Sequence, residues 1–488
     1  MITKMNHSFV MFLLCILFYA GQLNAQLYVN ASANLPNTEA MSQSMDVRAA
    51  DLDGDGDLDI VLANEFQHNI LLFNDGNGQF SPQPERLPKV IHDSEDVAIE
   101  DFDQDGDLDL VFCSEDDLVH EYYWNDGNGQ FSGAPFQFAD SKANAVIAAD
   151  LNDDNYPDLI FGNDGQNRIW MNQQNGHFVD ETNWRYPSLL DITQDVQLAD
   201  VDGDQDLDLF VGNENGNKLL INDGMGVFSD QTADRIPLSV NLETRKVSFG
   251  DIDQDGDLDI FLSNVAFIPG KNRRNRLLVN DGTGHFEDVS AEQLPPDNED
   301  SLDGVFLDID GDADLDLLVA NINLALPGLM RAYRNDGTGH FSEQSDLVFE
   351  SDYAINALGI FVADLNGDNL LDLYICDRNI GGPFKDILLL REQDSVTSLQ
   401  EKEEGQWLLF PNPIRDHLKL TFPKPLIDEP QFKLVDGDGK LLDRLTAVKL
   451  NDRQFEINFS NFTKSVDHTY WLIIKTDGQT WSEPLRFE

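Results

Sequence analysis

The chain has 488 residues, 41% hydrophobic and 25% charged, with 89 acidic against 32 basic side chains and a formal net charge of -57. The hydrophobic content is that of a globular protein, which excludes disorder as the reason for the charge. The imbalance also excludes nucleic acid as a partner held by the overall field, because phosphate binding needs a Lys/Arg footprint. Two explanations remain: a solvated acidic surface, or carboxylates held by bound cations.

The N-terminus predicts a signal peptide over residues 1–25. Lys4 supplies a positive start, and the apolar run from Phe9 to Ala20 is too short to span a bilayer. Cleavage is expected after Ala25 in Leu23-Asn24-Ala25-Gln26, and Leu14 before Cys15 is too large for a lipoprotein site. No other stretch is long and apolar enough to cross a membrane. An exported, soluble chain without a transmembrane span is expected.

From residue 51 onward one acidic loop recurs seven times. Its first copy places Asp51, Asp53, Asp55, Asp57 and Asp59 at positions 1, 3, 5, 7 and 9. The second has Asp101, Asp103, Asp105, Asp107 and Asp109, and the third has Asp150, Asn152, Asp154, Tyr156 and Asp158. Asp200, Asp202, Asp204, Asp206 and Asp208 form the fourth, and Asp251, Asp253, Asp255, Asp257 and Asp259 the fifth. Asp308, Asp310, Asp312, Asp314 and Asp316 follow, and Asp364, Asn366, Asp368, Leu370 and Asp372 end the series. The starts lie 50, 49, 50, 51, 57 and 56 residues apart, the period of a four-stranded propeller blade.

Position 7 tolerates Tyr156 and Leu370, so its contribution to an ion is the backbone carbonyl. Four side-chain oxygens, a carbonyl and water suit Ca²⁺, a hard ion that takes 6–8 oxygens. Magnesium demands tighter octahedral geometry, and no Cys/His set offers a softer site. Up to seven calcium ions are expected. Glycines at position 4 or 6, among them Gly54, Gly106 and Gly203, let the backbone curl around the ion. An EF-hand needs a bidentate Glu at position 12, but that position is Leu62, Phe112, Phe161, Val211, Leu262, Val319 and Ile375, all apolar.

Each loop leads into an apolar run such as Leu58–Asn64, then a second strand such as Ile70–Phe73, then an Asn-Asp-Gly turn beginning at Asn74, Asn125, Asn222, Asn280 or Asn335. Asp-Gly between strands is a strong hairpin signal. Each unit is therefore expected to hold three or four antiparallel strands whose faces need neighbours. After the turn comes a short strand, as in Phe286–Ser290 running on to Leu294-Pro295. The seventh unit stops at Arg391 without it, and the missing piece stands at the other end as Tyr28–Ser32 running to Leu35-Pro36. That segment is expected to close the last blade, hiding an open edge.

These residues resemble the FG-GAP/VCBS repeats of integrin α-chain propellers and many bacterial surface proteins, over roughly residues 26–392. The resemblance implies an all-β, seven-bladed, calcium-bound β-propeller over 26–391, with the loops on one face. The opposite face carries longer connections in three blades. They hold Phe267, Lys271, Arg273, Arg274 and Arg276 in the fifth, Arg331 in the sixth, and Arg378 and Lys385 in the seventh. Basic residues on one face of an acidic protein suggest an acidic ligand there, an anionic polysaccharide or an acidic protein segment.

Cys113 and Cys376 occupy a position that elsewhere holds Ala63, Gly162, Gly212, Ser263 or Ala320, and read as small buried residues rather than a disulfide. His177, His285 and His340 each precede the turn Phe and read as variation of the repeat. There is no G-x-S-x-G, no H-E-x-x-H and no phosphate-binding glycine loop. The expected role is extracellular binding or adhesion, for a protein or a polysaccharide, by a monomer. The alternative is a polysaccharide lyase, since some lyases resemble this propeller, and it would need His, Tyr and Arg clustered near the axis.

Residues 392–406 read as a polar linker, and 407–488 alternate apolar and polar residues with the turn spacing of a small β-sandwich. Pro411-Asn412-Pro413, the Gly437/Gly439 turn and the strand at Tyr470 resemble the type A C-terminal sorting domain of the type IX secretion system. Thr469 stands where that family has Gly, and the chain ends Arg486-Phe487-Glu488 rather than in lysine. The resemblance implies the secretion machinery as a partner and the outer surface of a Gram-negative bacterium, or the medium around it, as the location.

Overall fold

The computed structural model describes residues 27–391, apart from 37–42, 117, 238–240, 324–327, 346–347, 350–354 and 379–385, together with the strands of the C-terminal region. The chain divides into two compact units, one ending at residue 393 and the other beginning at 394. The expected signal peptide and linker lie outside the described residues, as does Cys15. No described helix is long and apolar enough to cross a membrane.

The first unit is built from repeated four-stranded antiparallel sheets and is β-propeller-like. In the first sheet, strands Ser44–Ala50, Asp59–Asn64, Ile70–Asn74 and Phe80–Pro82 pair in chain order. The second strand of every sheet is buried along its whole core length, as its unbroken apolar run requires. Sheets are stapled to their neighbours by side chains: Leu52, Val61 and Phe73 of the first pack with Val97, Phe112 and Tyr123 of the second. Phe102, Phe112, Phe161, Phe210 and Phe261 are each at most 1% exposed. Each such ring contributes about 1.5–3 kcal/mol by leaving water. A sheet on its own would lose that burial, which is why the repeats stand or fall together.

The first strands of successive sheets begin at Ser44, Ser94, Ala143, Asp191, Thr244, Asp300 and Ala357. Each packs beside the next, and Ala357–Ala363 packs beside Ser44–Ala50, so the succession returns to its start. The last sheet takes its fourth strand from the other end of the chain: Tyr28 pairs with Arg391, Val29 with Leu390 and Asn30 with Leu389. A hydrogen bond from Leu388 N to Ser32 Oγ at 3.1 Å extends the join. The third and fourth sheets are also linked directly, through Asp164 with Ile192 and Gly165 with Asp191.

Two details depart from the sequence reading. The segment after the turn is not one strand: Phe286–Asp288 ends, and a short helix at Ser290–Gln293 turns the chain before Leu294. Corresponding helices stand at Thr182–Arg185 and Thr232–Arg235. Here an Asp accepts the amide two residues on, as in Asp180 Oδ1 from Thr182 N at 3.0 Å, a local bond that ends a strand and starts a turn. In addition, every first strand carries a register shift near its start, as between Ser44 and Asp46 or between Thr193 and Asp195. Such bulges re-aim one side chain per strand.

The C-terminal unit holds two four-stranded sheets. One runs in the order Leu408–Phe410, His417–Thr421, Gln454–Asn458, Ala447–Asn451, and the other Leu441–Leu445, Gln431–Asp436, Tyr470–Thr476, Gln479–Leu485. Phe432 of one and Phe455 of the other lie 6.1 Å apart, and Leu418, Leu434, Ile457 and Leu472 are buried. Pro411-Asn412-Pro413, the Gly437/Gly439 turn and Thr469 lie outside the described residues.

Candidate metal centres and axial cavity

All seven acidic loops share one backbone path. Positions 4 and 6 have positive φ in every copy, from Gly54 and Gly56 through Gln104 and Gly106 to Gly367 and Asn369. Gln205 and Ala313 adopt it without glycine, at a cost of about 1–2 kcal/mol each. The position-1 carboxylate holds the curl by accepting the position-6 amide: Gly56 N to Asp51 at 3.1 Å, Gly106 N to Asp101 at 3.0 Å, and Asn369 N to Asp364 at 2.7 Å. Position 5 accepts from the amide of position 7, as in Asp57 N to Asp55 Oδ1 at 3.0 Å.

Position 9 is the anchor. Asp59 is fully buried, accepting Leu52 N at 3.2 Å and Asn74 N at 3.0 Å, so one carboxylate ties the loop to the hairpin turn. Asp158, Asp208, Asp259 and Asp316 do the same for their own sheets. In the last sheet, which lacks the turn, Arg391 N takes that place on Asp372 at 2.7 Å. Burial pushes Asp59, Asp158, Asp208 and Asp259 up to about 7, Asp109 to about 8, and Asp316 and Asp372 to about 6, against the pull of those amides. Crowded, desolvated carboxylates are what a divalent cation relieves.

The loops can hold a metal ion. Oxygens of Asp51, Asp53 and Asp59 lie within 4.8 Å of one another, as do those of Asp101, Asp103 and Asp109, of Asp200, Asp202 and Asp208, and of Asp251, Asp253 and Asp255. The Oδ1 atoms of Asp53, Asp202, Asp253 and Asp310 are buried with no hydrogen-bond partner. A buried oxygen left in that state is costly unless a cation meets it.

Position 7 points elsewhere. A Cβ placed on Gly76 would lie 2.4 Å from Asp57 Oδ2, and the same conflict recurs between Gly127 and Asp107, Gly224 and Asp206, Gly282 and Asp257, and Gly337 and Asp314. The position-7 side chain therefore rests on the hairpin turn, and the turn needs glycine there for space as well as for its positive φ. Two loops hold a cation of the chain: Arg235 meets Asp202 of the fourth at 3.1 Å, and Arg334 enters the sixth. Arg334 ion-pairs with Asp310 and lies 2.6 Å from Asp312, placing a cation of the chain itself among the loop carboxylates.

At the opposite end of the sheets lies a site that the sequence reading passed over. The bulge residue, five positions before each loop, is Asp46, Asp96, Ala145, Asp195, Lys246, Asp303 and Gly359 in turn. Three of these carboxylates reach across to the next first strand: Asp96 accepts Val146 N at 3.0 Å, Asp195 accepts Val247 N at 2.8 Å, and Asp303 accepts Ile360 N at 2.7 Å. The alternation joins the second sheet to the third, the fourth to the fifth and the sixth to the seventh, and leaves Asp46 over.

Asp46 is 8% exposed; its Oδ1 meets Arg48 at 3.2 Å, and its carboxyl shares a hydrogen bond with Asp96. Arg48 also meets Asp96 at 3.2 Å, and Lys246 meets Asp195 at 3.3 Å. This belt borders two cavities. One, of about 760 Å³, is lined by the loop-side halves of the first strands, and the other, of about 270 Å³, by their beginnings. Eight carboxylates line the smaller one, with Arg245 and Lys246 as its cations and Leu302 and Leu358 on its apolar side.

The basic residues expected to meet an acidic ligand have local partners. Arg273 pairs with Asp300 at 3.1 Å, Arg276 with Asp288 at 3.5 Å and Arg331 with Glu299 at 2.8 Å, and Arg378 pairs with Glu65. Arg274 donates to Ser290 O at 3.0 Å, and Lys271 to Asn215 Oδ1 at 3.1 Å. Phe267 lies under the Arg245 guanidinium, 5.2 Å from its ring centroid. Lys385 is outside the described residues. Cys113 and Cys376 are free thiols, both buried.

The chain is similar to a lectin from Agrocybe aegerita that recognises non-reducing terminal N-acetylglucosamine, at 18% identity and a TM-score of 0.39, over 63% of this chain and 82% of that one. It is similar to BBS1N, solved in complex with ARL6DN, at 11% identity and a TM-score of 0.49, over 76% and 98%. It is also similar to the extracellular domain of a protein described as a hybrid two component system from B. thetaiotaomicron, at 14% identity and a TM-score of 0.45, over 94% and 58%. A search of curated proteins gives no match. The FG-GAP-like repeat matches six times, over residues 51–112, 101–161, 150–211, 200–262, 264–319 and 322–375, each match taking in loop and strand elements of the kind described above. The chain belongs to the FG-GAP-like repeat family.

Proposed function

We propose that the first unit is a closed seven-bladed β-propeller, braced by calcium at its acidic loops, that acts as an extracellular binding module for protein or polysaccharide. The observation that carries the calcium reading is the set of buried, unpartnered position-3 oxygens beside the buried position-9 carboxylates. Side chains at positions 1, 3, 5 and 9 would hold the ion, with the position-7 carbonyl. The turned-away side chains of Asp57, Asp107, Asp206, Asp257 and Asp314 support that last assignment. Bound calcium supplies charge compensation and a rigid tie between loop and hairpin. Binding is favoured over catalysis because the unit is built of FG-GAP-like repeats.

Residues 1–25 are proposed to be a signal peptide, 392–406 a linker, and 407–488 a β-sandwich that addresses the chain to type IX secretion and the outer surface of a Gram-negative cell. The two sheets joined by Phe432 and Phe455 support the sandwich. The test is calorimetric titration of the chelator-treated chain with Ca²⁺ and with Mg²⁺. Several Ca²⁺ sites per chain with weak Mg²⁺ binding are expected, and no calcium uptake would overturn the metal reading.

A further inference from the structure

We propose that the sixth acidic loop takes no calcium, because Arg334 stands there as a cation built into the chain. This rests on the calcium reading of the other loops and names the residue that makes the exception.

One residue stands just before the hairpin turn of each sheet, or before Arg391 in the last. It holds the same register throughout, Phe73 pairing with Ser81, Ile221 with Ser229, Val279 with Glu287 and Arg334 with Ser342. Phe73, Trp124, Met171, Ile221, Val279 and Leu390 are all apolar, and only the sixth sheet places an arginine there. A guanidinium stays charged throughout the working pH range, and its planar fork spans two carboxylates at once. Here Arg334 Nε meets Asp310 Oδ2, and a terminal nitrogen lies 2.6 Å from Asp312 Oδ2. One side chain thus bridges positions 3 and 5 of the loop.

Position 5 decides the matter. In the first, fourth and fifth loops its Oδ1 accepts the position-7 amide, as at Asp55, Asp204 and Asp255. No Lys or Arg reaches the second oxygen of those three among the described residues. In the sixth, Asp312 Oδ1 accepts Asp314 N at 3.1 Å and Oδ2 accepts Arg334, so both oxygens are committed. An ion arriving there would displace the guanidinium or share its carboxylates, where like charges repel strongly. The fourth loop supplies the contrast. Arg235 meets position 3 only, at Asp202 Oδ2, and its other terminal nitrogen donates to Thr283 O of the next sheet at 2.8 Å, which leaves Asp204 open.

The sixth loop still follows the common path, with Asp308 accepting Gly311 N at 2.6 Å and Ala313 N at 3.1 Å. Asp310 Oδ1, like that of Asp53, Asp202 and Asp253, is buried without a hydrogen bond. The loop has kept the frame of a metal site, so taking Arg334 away should reopen it.

The test counts calcium on the full chain by equilibrium dialysis after chelator treatment, in about 0.15 M salt, where diffuse attraction to an acidic surface is screened. The unaltered chain is expected to bind fewer ions than its seven loops. Arg334→Leu, which restores the apolar type of the other copies, is expected to bind one ion more. Adding Asp312→Ala to it should lose that ion again, and Arg235→Leu should leave the count of the unaltered chain unchanged. Melting supplies a readout that a merely structural arginine would not move. In chelator Arg334→Leu should melt below the unaltered chain, and in calcium the two should coincide, whereas a packing defect would cost the same in both. Arg334→Gln removes the charge but keeps a polar side chain, and it should gain the ion too if the leucine variant does not fold. Seven ions on the unaltered chain, no gain in either Arg334 variant, or an equal gain in Arg235→Leu overturns the inference and leaves the calcium reading standing. No uptake by any form overturns both.

Discussion

The two ends of the sheets follow opposite rules. At the loop end, seven copies keep carboxylates at positions 1, 5 and 9, the same two left-handed positions and the same buried anchor, from Asp59 to Asp372. At the other end, equivalent positions hold Asp, Asp, Ala, Asp, Lys, Asp and Gly. One end repeats because each loop solves the same local problem, gathering backbone around a charge. The other varies because six of its seven positions line one cavity, where identical acids would repel one another. Repetition therefore marks what braces the molecule, and its interruption marks where the molecule is particular.

The largest test of that contrast is to remove the brace. Chelation should cost about 3 kcal/mol for each site held at a hundred times its Kd, so a chain with several sites should melt far lower without calcium. Differential scanning calorimetry with and without chelator measures it, and a small shift would mean the loops stand without metal. The next test separates positions within a loop. Asp208→Ala removes a buried acceptor from Val201 N and Asn222 N and should cost about 2–4 kcal/mol, whereas Asp206→Ala, whose side chain rests on the turn, should cost less than about 1 kcal/mol. Chemical denaturation gives both, and equal losses would erase the distinction.

Acidity sharpens the comparison further. Asp59, Asp158, Asp208 and Asp259 are raised to about 7, above the unfolded value near 3.9. Without metal the folded chain thus holds more protons than the unfolded one between about pH 4 and 7. Their contribution favours the fold at low pH and is lost as pH rises through 7, so the chelated chain should melt higher at pH 5.5 than at pH 8. With calcium the trend should reverse, since the ion needs the carboxylates ionised. The same slope in both conditions would separate these residues from the metal. A small gain is expected in the sixth loop. Ala313→Gly, at a φ of 73°, should stabilise the chain by roughly 1 kcal/mol by removing left-handed strain.

Much of the loop end was legible in the sequence. The spacing of the carboxylates, the tolerance of Tyr156 and Leu370 at position 7, and the unpaired edge met by Tyr28 all express chemistry confined to a few neighbouring residues. The axial site was not, because Asp46 and Asp96 meet only after fifty residues of intervening sheet, and the bulge that aims them leaves no residue type behind as a sign. The short helix at Ser290–Gln293 was missed for a related reason: Asp288 bonding to Ser290 N decides it, and that pair also suits a strand end. The basic connections show the same limit from the other side. Arg273, Arg331 and Arg378 stand out against an acidic sequence, yet Asp300, Glu299 and Glu65 lie beside them in space.

The strand at Tyr28–Asn30 carries a further consequence, for the order of folding. It is among the first parts of the described chain to be synthesised, yet its partner strand ends at Arg391, and the bond from Leu388 to Ser32 spans 356 positions. Contacts so distant in sequence form late, after their loop entropy has been met by everything between. The intermediate sheets can stack as they emerge, but the circle stays open until the last of them returns to a segment that has waited throughout. Such a clasp turns a row of similar repeats into a single cooperative body, because opening it exposes the edges on both sides at once.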